Sequence, residues 1–242
     1  MTLLTRLRRL PEDWGTALAV VAHPDDLEYG VTSAIARWTA QGKQIAYLVA
    51  TRGASGIDSI PPEQAGPIRE AEQRKSAAIV GVHVVEFLDH SDGLIEYGPA
   101  LRRDIARAIR KHRPEVLITN NYHMSIRKGA LNMPDHRSVG LACLDASRDA
   151  GNRWVFQELC QEGLEPWAGV KMILISESPK STHAVDVTDY IERGIASLQE
   201  HQVYIANLAQ SFDPNGFLRR NAKMAGKRLG SDYAVSFEVT AP

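Results

Sequence analysis

Short apolar runs alternate with amphipathic segments along the first half of the chain. Residues 17–22 (ALAVVA) are continuously apolar, which is typical of a strand covered on both faces. The next segment carries apolar residues at helical spacing and then reaches a glycine that suits a helix C-terminus: Val31, Ala34, Ile35, Trp38 and Gly42. These patterns predict a first strand followed by a first helix.

The same alternation repeats three times more. It predicts strands at 45–50, 82–88 and 116–119 and helices at 67–80 and 99–112. Beyond Asn120 the rhythm changes, and the pattern predicts a helix at 136–150, strands at 171–176 and 183–187, a long helix with an apolar face from Ile191 to Ile205, and a last strand at 234–239. Successive β-α units favour a parallel sheet with right-handed crossovers.

The fold class expected from this order is α/β, a Rossmann-like, mostly parallel sheet with helices on both faces. We expect a single domain over residues 1–242, because a chain of this length buries one substantial core. Within it, residues 1–16 are an N-terminal arm, 17–120 the β-α core, and 121–242 the remaining helices and strands.

Polar residues follow the first strand directly, in the segment His23-Pro24-Asp25-Asp26-Leu27-Glu28. Ligands of open α/β sheets bind at the carboxyl edge of the strands, where this segment would lie. A hydrolytic zinc site needs about three His or carboxylate ligands, a position for water and a nearby base. The alternative is an ordinary turn in which an Asp caps the helix. A second cluster is needed to decide.

The second cluster is Asn132-Met133-Pro134-Asp135-His136-Arg137. If Asp135 caps the following helix, His136 lies in its first turn on the inward face, in line with Val139 and Cys143. A core histidine bonded to a backbone carbonyl is the alternative. The two clusters together favour a metal site.

The composition of the chain restricts the class of ligand that the protein could bind. The net charge of -1 provides no basic surface for nucleic acid or anionic lipid, so a small molecule is the expected partner. No apolar stretch has the length of a signal peptide or of a membrane span, which predicts a cytoplasmic protein without membrane insertion. Cys143 and Cys160 are far apart and outside any C-x-x-C pattern, and we interpret them as buried small residues.

The two clusters resemble the PIG-L/LmbE-like family of metal-dependent N-acetylglucosaminyl deacetylases, whose signatures are A-H-P-D-D-x-E after the first strand and a later H-P-D-H. Residues 22–28 match the first signature in full. Shorter segments extend the similarity over nearly the whole chain: Thr51-Arg52-Gly53, Arg69-Glu70-Ala71-Glu72, Asp92-Gly93, Arg113-Pro114 and Thr182-His183-Ala184-Val185-Asp186.

The resemblance implies roles for single residues. The implied metal ligands are His23, Asp26 and His136, and the implied general base is Asp25. The sugar would be held by Arg69 and Asp92. Zn2+ is the implied metal, although His and carboxylate ligands also accept iron, cobalt or manganese. The implied substrate is a small amino-sugar derivative, and by analogy the protein could be a homo-oligomer.

One position departs from the family pattern. The second signature begins with His, which is thought to stabilise the oxyanion or protonate the leaving amine, and this chain has Met133 there. A tyrosine that assists in some members is also missing, with Leu131 near its position. His183 is the first candidate to substitute as a catalytic residue, followed by Tyr122 and His123. A purely structural role is the alternative for His183, since strand alternation places it and Asp186 on opposite faces.

Three functions remain open. The first is the deacetylase just described. The second is an amidase of the same fold that cleaves a larger N-acyl group or a conjugate, as the change at Met133 would suit. The third is a non-catalytic α/β protein that binds a metal or a nucleotide. A Rossmann cofactor role is disfavoured because no G-x-G-x-x-G follows the first strand.

Overall fold

The computed structural model of the chain describes residues 6–127, 129–208 and 211–242. Eight strands of these residues form the main sheet: β1 (Arg8–Arg9), β2 (Thr16–Val21), β3 (Gln44–Val49), β4 (Val84–Phe87), β5 (Val116–Thr119), β8 (Met172–Ser176), β9 (His183–Asp186) and β10 (Ala234–Thr240). A small antiparallel pair lies apart from it: β6 (Ser125–Arg127) and β7 (Ala130–Leu131).

The helices pack around this sheet. They are α1 (Thr32–Ala40), α2 (Pro62–Ile79), α3 (Pro99–His112), α4 (Pro134–Asp149), α5 (Gln157–Gln161), α6 (Ile191–Gln199), α7 (Gln202–Ala206) and α8 (Pro214–Leu229), with a 3-10 turn at Thr188–Tyr190. The predicted α/β fold with a mostly parallel sheet is therefore confirmed.

The sheet order is β1-β9-β10-β8-β5-β2-β3-β4. Strands β2, β3, β4, β5 and β8 run parallel, whereas β10 is antiparallel to both of its neighbours. From β2 the chain proceeds to β3 and β4 on one side and then returns to β5 on the other. The carboxyl ends of β2 and β5 therefore flank a topological switch point, which is where open α/β sheets bind ligands.

Strand β2 lies between two hydrophobic cores, one on each face of the sheet. Ala17, Ala19 and Val21 pack into the layer that contains α1, while Leu18 and Val20 pack into the layer that contains α3 and α4. Successive side chains of a strand point to opposite faces, so a strand covered on both sides must be apolar at every position. This explains the continuous apolar run from which the strand was predicted.

The structure departs from the sequence-based prediction in the outer elements. The N-terminal arm contributes the short strand β1, which pairs with β9, and α8 was not predicted. The predicted long helix is two helices, because the chain turns at His201 between α6 and α7. Asp135 does not cap α4, since Met133 occupies the N-cap position.

Two further expectations concern the cysteines and membrane-spanning helices. Both cysteines are free thiols; Cys143 is buried and Cys160 is half-buried. In the described parts of the chain, no helix combines the length and the apolarity needed to cross a bilayer.

Candidate metal centre at the carboxyl edge of the sheet

Asp26 is fixed by hydrogen bonds from the ends of two strands. Its Oδ2 atom accepts the N–H groups of Ala22 at 3.0 Å and of His23 at 2.9 Å, and the side-chain amide of Asn120 at 3.1 Å. Ala22 and His23 follow β2, and Asn120 follows β5, so the carboxylate bridges the switch point. Three donors on one oxygen leave Oδ1 to face the neighbouring histidines.

Three possible ligand atoms converge at this point. Asp26 Oδ1 lies 3.0 Å from His136 Nε2 and 3.7 Å from His23 Nδ1, and the donor atoms of the three residues all lie within 4.8 Å of one another. Ligand bonds of about 2.0–2.1 Å in a tetrahedral zinc site give ligand-to-ligand distances of about 3.3 Å. The spacing therefore suits a divalent cation.

His136 supplies a further test of fit. Its Nε2 atom is buried and has no hydrogen bond of acceptable geometry among the described residues, although Asp26 is close. A buried nitrogen without a partner costs free energy unless another group satisfies it. A metal ion shared with Asp26 would do so, which makes the His136 imidazole a suitable ligand.

The second nitrogen of His23 is bonded to carboxylates. His23 Nε2 lies 3.1 Å from Asp135 Oδ2 and 3.1 Å from Asp92 Oδ1. Asp135 also accepts the N–H groups of Gly93 at 2.8 Å and Ile95 at 3.2 Å, which hold its carboxylate in place. An Nε2–H donated to a carboxylate fixes the tautomer and leaves the Nδ1 lone pair free to bind a metal.

The cluster has an excess of negative charge. Burial opposes protonation of His23, but Asp26, Asp135 and Asp92 outweigh it and raise the pKa of His23 to about 12. Burial alone would raise the pKa of Asp26, whereas His136 and His23 hold the pKa of this carboxyl well below its usual value. A group of carboxylates that stabilises positive charge so strongly is suited to bind a divalent cation.

Asp25 lies beside this cluster with one oxygen engaged and one free. Its Oδ1 atom is 3.1 Å from Arg69 Nη2, while Oδ2 is buried and has no hydrogen-bond partner among the described residues. Burial raises the pKa of Asp25 to about 6; Arg69 opposes this effect and the negative charge of Asp26 adds to it. The backbone of Asp25 has a positive φ of 89°.

Arg69 joins the two loops that follow β2 and β3. It donates to the carbonyl of Pro24 at 2.6 Å and to that of Gly53 at 3.0 Å, and its guanidinium lies 4.1 Å from the centre of the Tyr204 ring. A Cβ at Gly53 or Gly56 would collide with its Nη1 atom. The glycines in this loop therefore make room for the arginine.

The structure brings together six of the seven predicted site residues: His23, Asp25, Asp26, Arg69, Asp92 and His136. It does not bring His183 to them. His183 begins β9, four strands from β2, which corresponds to about 19 Å at the usual strand spacing. Its Nδ1 atom lies 2.9 Å from the Thr182 hydroxyl.

The other suggested substitutes are engaged with other groups. The ring of Tyr122 lies 4.3 Å from that of His123, and His123 Nε2 is 2.7 Å from the Glu238 carboxylate. Met133, in the position where the family pattern has His, is 52% exposed at the start of α4. A thioether therefore stands where the family pattern has an imidazole.

Sequence reasoning missed several residues that shape the site. Asn120 is the first polar residue after the buried strand β5, and the carboxyl-edge rule could have indicated it. Asp135 was interpreted only as a helix cap. Glu177, at the end of β8, has a positive φ of 53°, and its charge acts on His136. No local pattern indicates Glu177.

The fold and this cluster define an α/β protein with a candidate metal centre at the carboxyl edge of its parallel sheet. The chain belongs to the GlcNAc-PI de-N-acetylase (PIG-L) family, whose family model matches residues 18–147, just over half of the chain. The matched segment contains every residue of the converging cluster. The family resemblance inferred from the two sequence clusters is therefore confirmed.

Relatives extend this similarity to most of the chain. Diacetylchitobiose deacetylase of Thermococcus kodakarensis is 26% identical over 220 residues, covering 90% of this chain and 80% of its own length. The structure of N,N'-diacetylchitobiose deacetylase from Pyrococcus horikoshii, complexed with an inhibitor, superposes with a TM-score of 0.85 at 23% identity, covering 95% of this chain and 85% of that one.

A more distant structure has the same fold. The zinc-inhibited form of a teicoplanin deacetylase superposes with a TM-score of 0.64 at 14% identity, covering 94% of this chain and 98% of that one. At this identity the likeness concerns the fold alone. All three of these proteins are named as deacetylases, and the two structures share the fold of this chain over nearly its full length.

Proposed function

We propose that this protein is a metal-dependent hydrolase that removes an N-acetyl or similar acyl group from an amino-sugar derivative. Asp25 is the general base, and His23, Asp26 and His136 are the metal ligands. The observation that carries the proposal is the pairing of a three-residue ligand cluster with the buried, unpartnered Oδ2 atom of the adjacent Asp25.

The ligand set suits Zn2+ and also iron, cobalt or manganese. A divalent cation held by these atoms would polarise the amide carbonyl and lower the pKa of a water molecule. Asp26 can serve as a ligand through Oδ1, because its other oxygen is occupied by three donors. Asp135 orients His23, and Asp92 contacts the same nitrogen of His23 at 3.1 Å.

Asp25 takes the proton of the attacking water. Arg69 holds Oδ1 at 3.1 Å, so Oδ2 is the oxygen that can accept a proton, and the same carboxyl can then return it to the leaving amine. Because Asp26 remains engaged as an ionised ligand, the two adjacent aspartates divide into a ligand and a base.

The substrate class is proposed from the relatives. The family description concerns removal of the N-acetyl group of a GlcNAc-containing substrate, and the relative from Thermococcus kodakarensis is named for diacetylchitobiose. An N-acylated glucosamine derivative supplies the amide that the proposed centre would cleave. We therefore propose a small amino-sugar substrate, with no nucleic-acid partner.

Met133 favours a second candidate. A thioether can neither protonate an amine nor donate a hydrogen bond to an oxyanion. Leu94 is 76% exposed and lies between Gly93 and Ile95, whose N–H groups bond to Asp135, while Met133 is 52% exposed two positions before Asp135. These two exposed apolar side chains would suit an amidase of the same fold that acts on a larger N-acyl group.

The deciding experiment measures amine release from a panel of N-acyl glucosamine derivatives of increasing acyl length. Each substrate is assayed with the metal-free protein and after addition of Zn2+, Fe2+, Co2+ or Mn2+. We expect release that a chelator abolishes and a metal restores. Preference for acetyl supports the first candidate, and preference for longer acyl groups supports the second.

Two variants test the assigned roles. Asp25→Asn should retain the metal and lose most of the turnover, whereas His136→Ala should lose the metal. Asp89→Asn, which changes an exposed carboxylate paired with Arg52, is the matched control and should behave as the wild type. Absence of amine release over the whole panel would instead favour a non-catalytic metal-binding protein.

A further inference from the structure

A network of buried polar side chains is hydrogen-bonded to the backbone of Asp25 and takes no part in the proposed reaction. Gln73 is 1% exposed, and the other members are fully buried: Glu28, Ser76, Ser197 and His201. They come from the segment after β2 and from helices α2 and α6 and the junction of α6 with α7. Burying so many polar groups is costly unless they form hydrogen bonds with one another.

The hydrogen bonds of this network have a fixed direction from donor to acceptor. The N–H of Asp25 donates to Gln73 Oε1 at 2.8 Å, and Gln73 Nε2 donates to Glu28 Oε1 at 2.9 Å. An ionised carboxylate can only accept, so Glu28 requires the NH2 group of Gln73 and directs the amide oxygen toward Asp25. The orientation of Gln73 therefore follows from Glu28.

Glu28 is hydrogen-bonded through Oε1 and faces a histidine on its other side. The Ser76 hydroxyl donates to Oε1 at 2.6 Å, and His201 Nε2 lies 3.7 Å from Oε2. Neither ring nitrogen of His201 has a hydrogen bond among the described residues, which leaves the Glu28 carboxylate as its close counterpart. The buried pair thus links the α6–α7 junction to Gln73.

Asp25 requires such support because of its backbone. A φ of 89° lies in the left-handed region, which is unfavourable for a residue with a Cβ. We propose that Gln73, oriented by Glu28, is a positioning residue that keeps Asp25 in this conformation beside the ligand cluster. The inference rests on the proposed role of Asp25 as the base.

The test compares the wild type with Gln73→Met, which has a similar length but cannot accept the Asp25 N–H. Three quantities are measured: kcat and KM, metal affinity by chelator competition, and hydrogen exchange of the Asp25 amide by NMR. We expect kcat to fall about 10- to 100-fold, as for other residues that orient active groups. KM and metal affinity should be unchanged, while the Asp25 amide should exchange about tenfold faster or more.

Thr39→Val is the matched control. It removes a partly buried hydrogen bond of 2.6 Å from the Thr39 hydroxyl to the carbonyl of Val80, away from the ligand cluster. General destabilisation would affect both variants, whereas positioning affects only Gln73→Met. If Gln73→Met does not fold, Glu28→Gln replaces it: an amide at 28 can turn either way and no longer fixes Gln73, so the same faster exchange at Asp25 is expected.

A double-mutant cycle separates positioning from an independent effect. In the Asp25→Asn background, Gln73→Met should cause no further loss of kcat, because the loss acts through the base. An equal loss in both backgrounds, or unchanged exchange of the Asp25 amide, would overturn the inference. If the wild type releases no amine from any substrate, the proposed function fails, but the exchange measurement still decides whether Gln73 positions Asp25.

Discussion

Asp135 Oδ2 lies 3.1 Å from His23 Nε2, although the two residues are 112 positions apart in the chain. Asp135 precedes His136 on α4, so one helix start contributes a possible metal ligand and also orients a second ligand on the loop after β2. This coupling explains how two short clusters far apart in sequence form one site.

The first prediction concerns this contact. Asp135→Asn removes the charge that favours the Nε2–H tautomer of His23, so we expect metal affinity to fall about 10- to 100-fold. Chelator competition followed by metal analysis measures the change. Asp145→Asn, on the same helix, removes a carboxylate that accepts from the Tyr97 hydroxyl and should leave metal affinity unchanged. Equal affinities of the two variants would contradict the assignment.

The second prediction addresses Met133. Met133→His places an imidazole at the start of α4, two positions before Asp135, and general acid catalysis is worth about 100-fold or more when a group is well placed. We expect kcat on the N-acetyl substrate to rise about tenfold, because an unsupported imidazole gives only part of this gain. Met133→Leu is the control. If Met133→His is no faster than Met133→Leu, this position does not limit turnover.

Much of the site could be predicted because its signals are local. The apolar run before His23 predicted a buried strand, and the carboxyl-edge rule then placed the polar residues after it at the ligand-binding edge. The inward face of α4 was also readable, since Val139 and Cys143 are both buried in line with His136. Each of these predictions depends only on residues that are close together in the sequence.

The remaining features depend on contacts between distant segments. Asp135 could have capped α4 by local chemistry, but His23 and the Gly93 N–H compete for the same carboxylate. His183 is proposed as a catalytic residue because it lies in a predicted strand, but a local pattern that predicts a strand does not give the position of that strand in the sheet. Helix α8 buries only a narrow stripe, Leu218, Ala222, Gly226 and Leu229, which is a weak helical signal.

The third prediction concerns stability away from the site. Arg110 is 2% exposed and donates to the carbonyls of Ala150 at 3.1 Å and Asn152 at 2.8 Å, beyond the end of α4. Arg110→Met removes these hydrogen bonds from a buried guanidinium, although Ala150 keeps the N–H of Trp167 and Asn152 keeps that of Val155. Hydrogen bonds to charged groups are worth about 1.5–3 kcal/mol, so the free energy of unfolding should fall by about 2 kcal/mol. Arg107→Met, which breaks a more exposed pair with Glu162, should cost much less, because solvent screens an exposed pair. Urea unfolding compares the two, and equal costs would contradict the argument.

The fourth prediction tests the buried pair. His201→Leu leaves the Glu28 carboxylate buried without a positive partner, which should lower the free energy of unfolding by about 3–5 kcal/mol. Adding Glu28→Gln removes the unpaired charge and should recover part of the loss. Urea unfolding of the single and double variants measures both steps. A double variant no more stable than His201→Leu would show that the charge of Glu28 is not the cause.

The last prediction is the pH dependence of that pair. Burial opposes protonation of His201, but Glu28, with smaller contributions from the charges of Asp25 and Glu72, raises the pKa of His201 above its ordinary value. A histidine whose pKa is raised in the folded state contributes stability that is fully present below the unfolded pKa of about 6.5 and is lost as pH rises through the folded pKa. The difference in unfolding free energy between the wild type and the double variant His201→Leu/Glu28→Gln should therefore be largest below about pH 6.5 and decrease above it. Both proteins are compared without metal, so that titration of the ligand cluster is common to both and cancels. A difference that stays constant from about pH 6 to about pH 9 would mean that folding does not raise the pKa of His201.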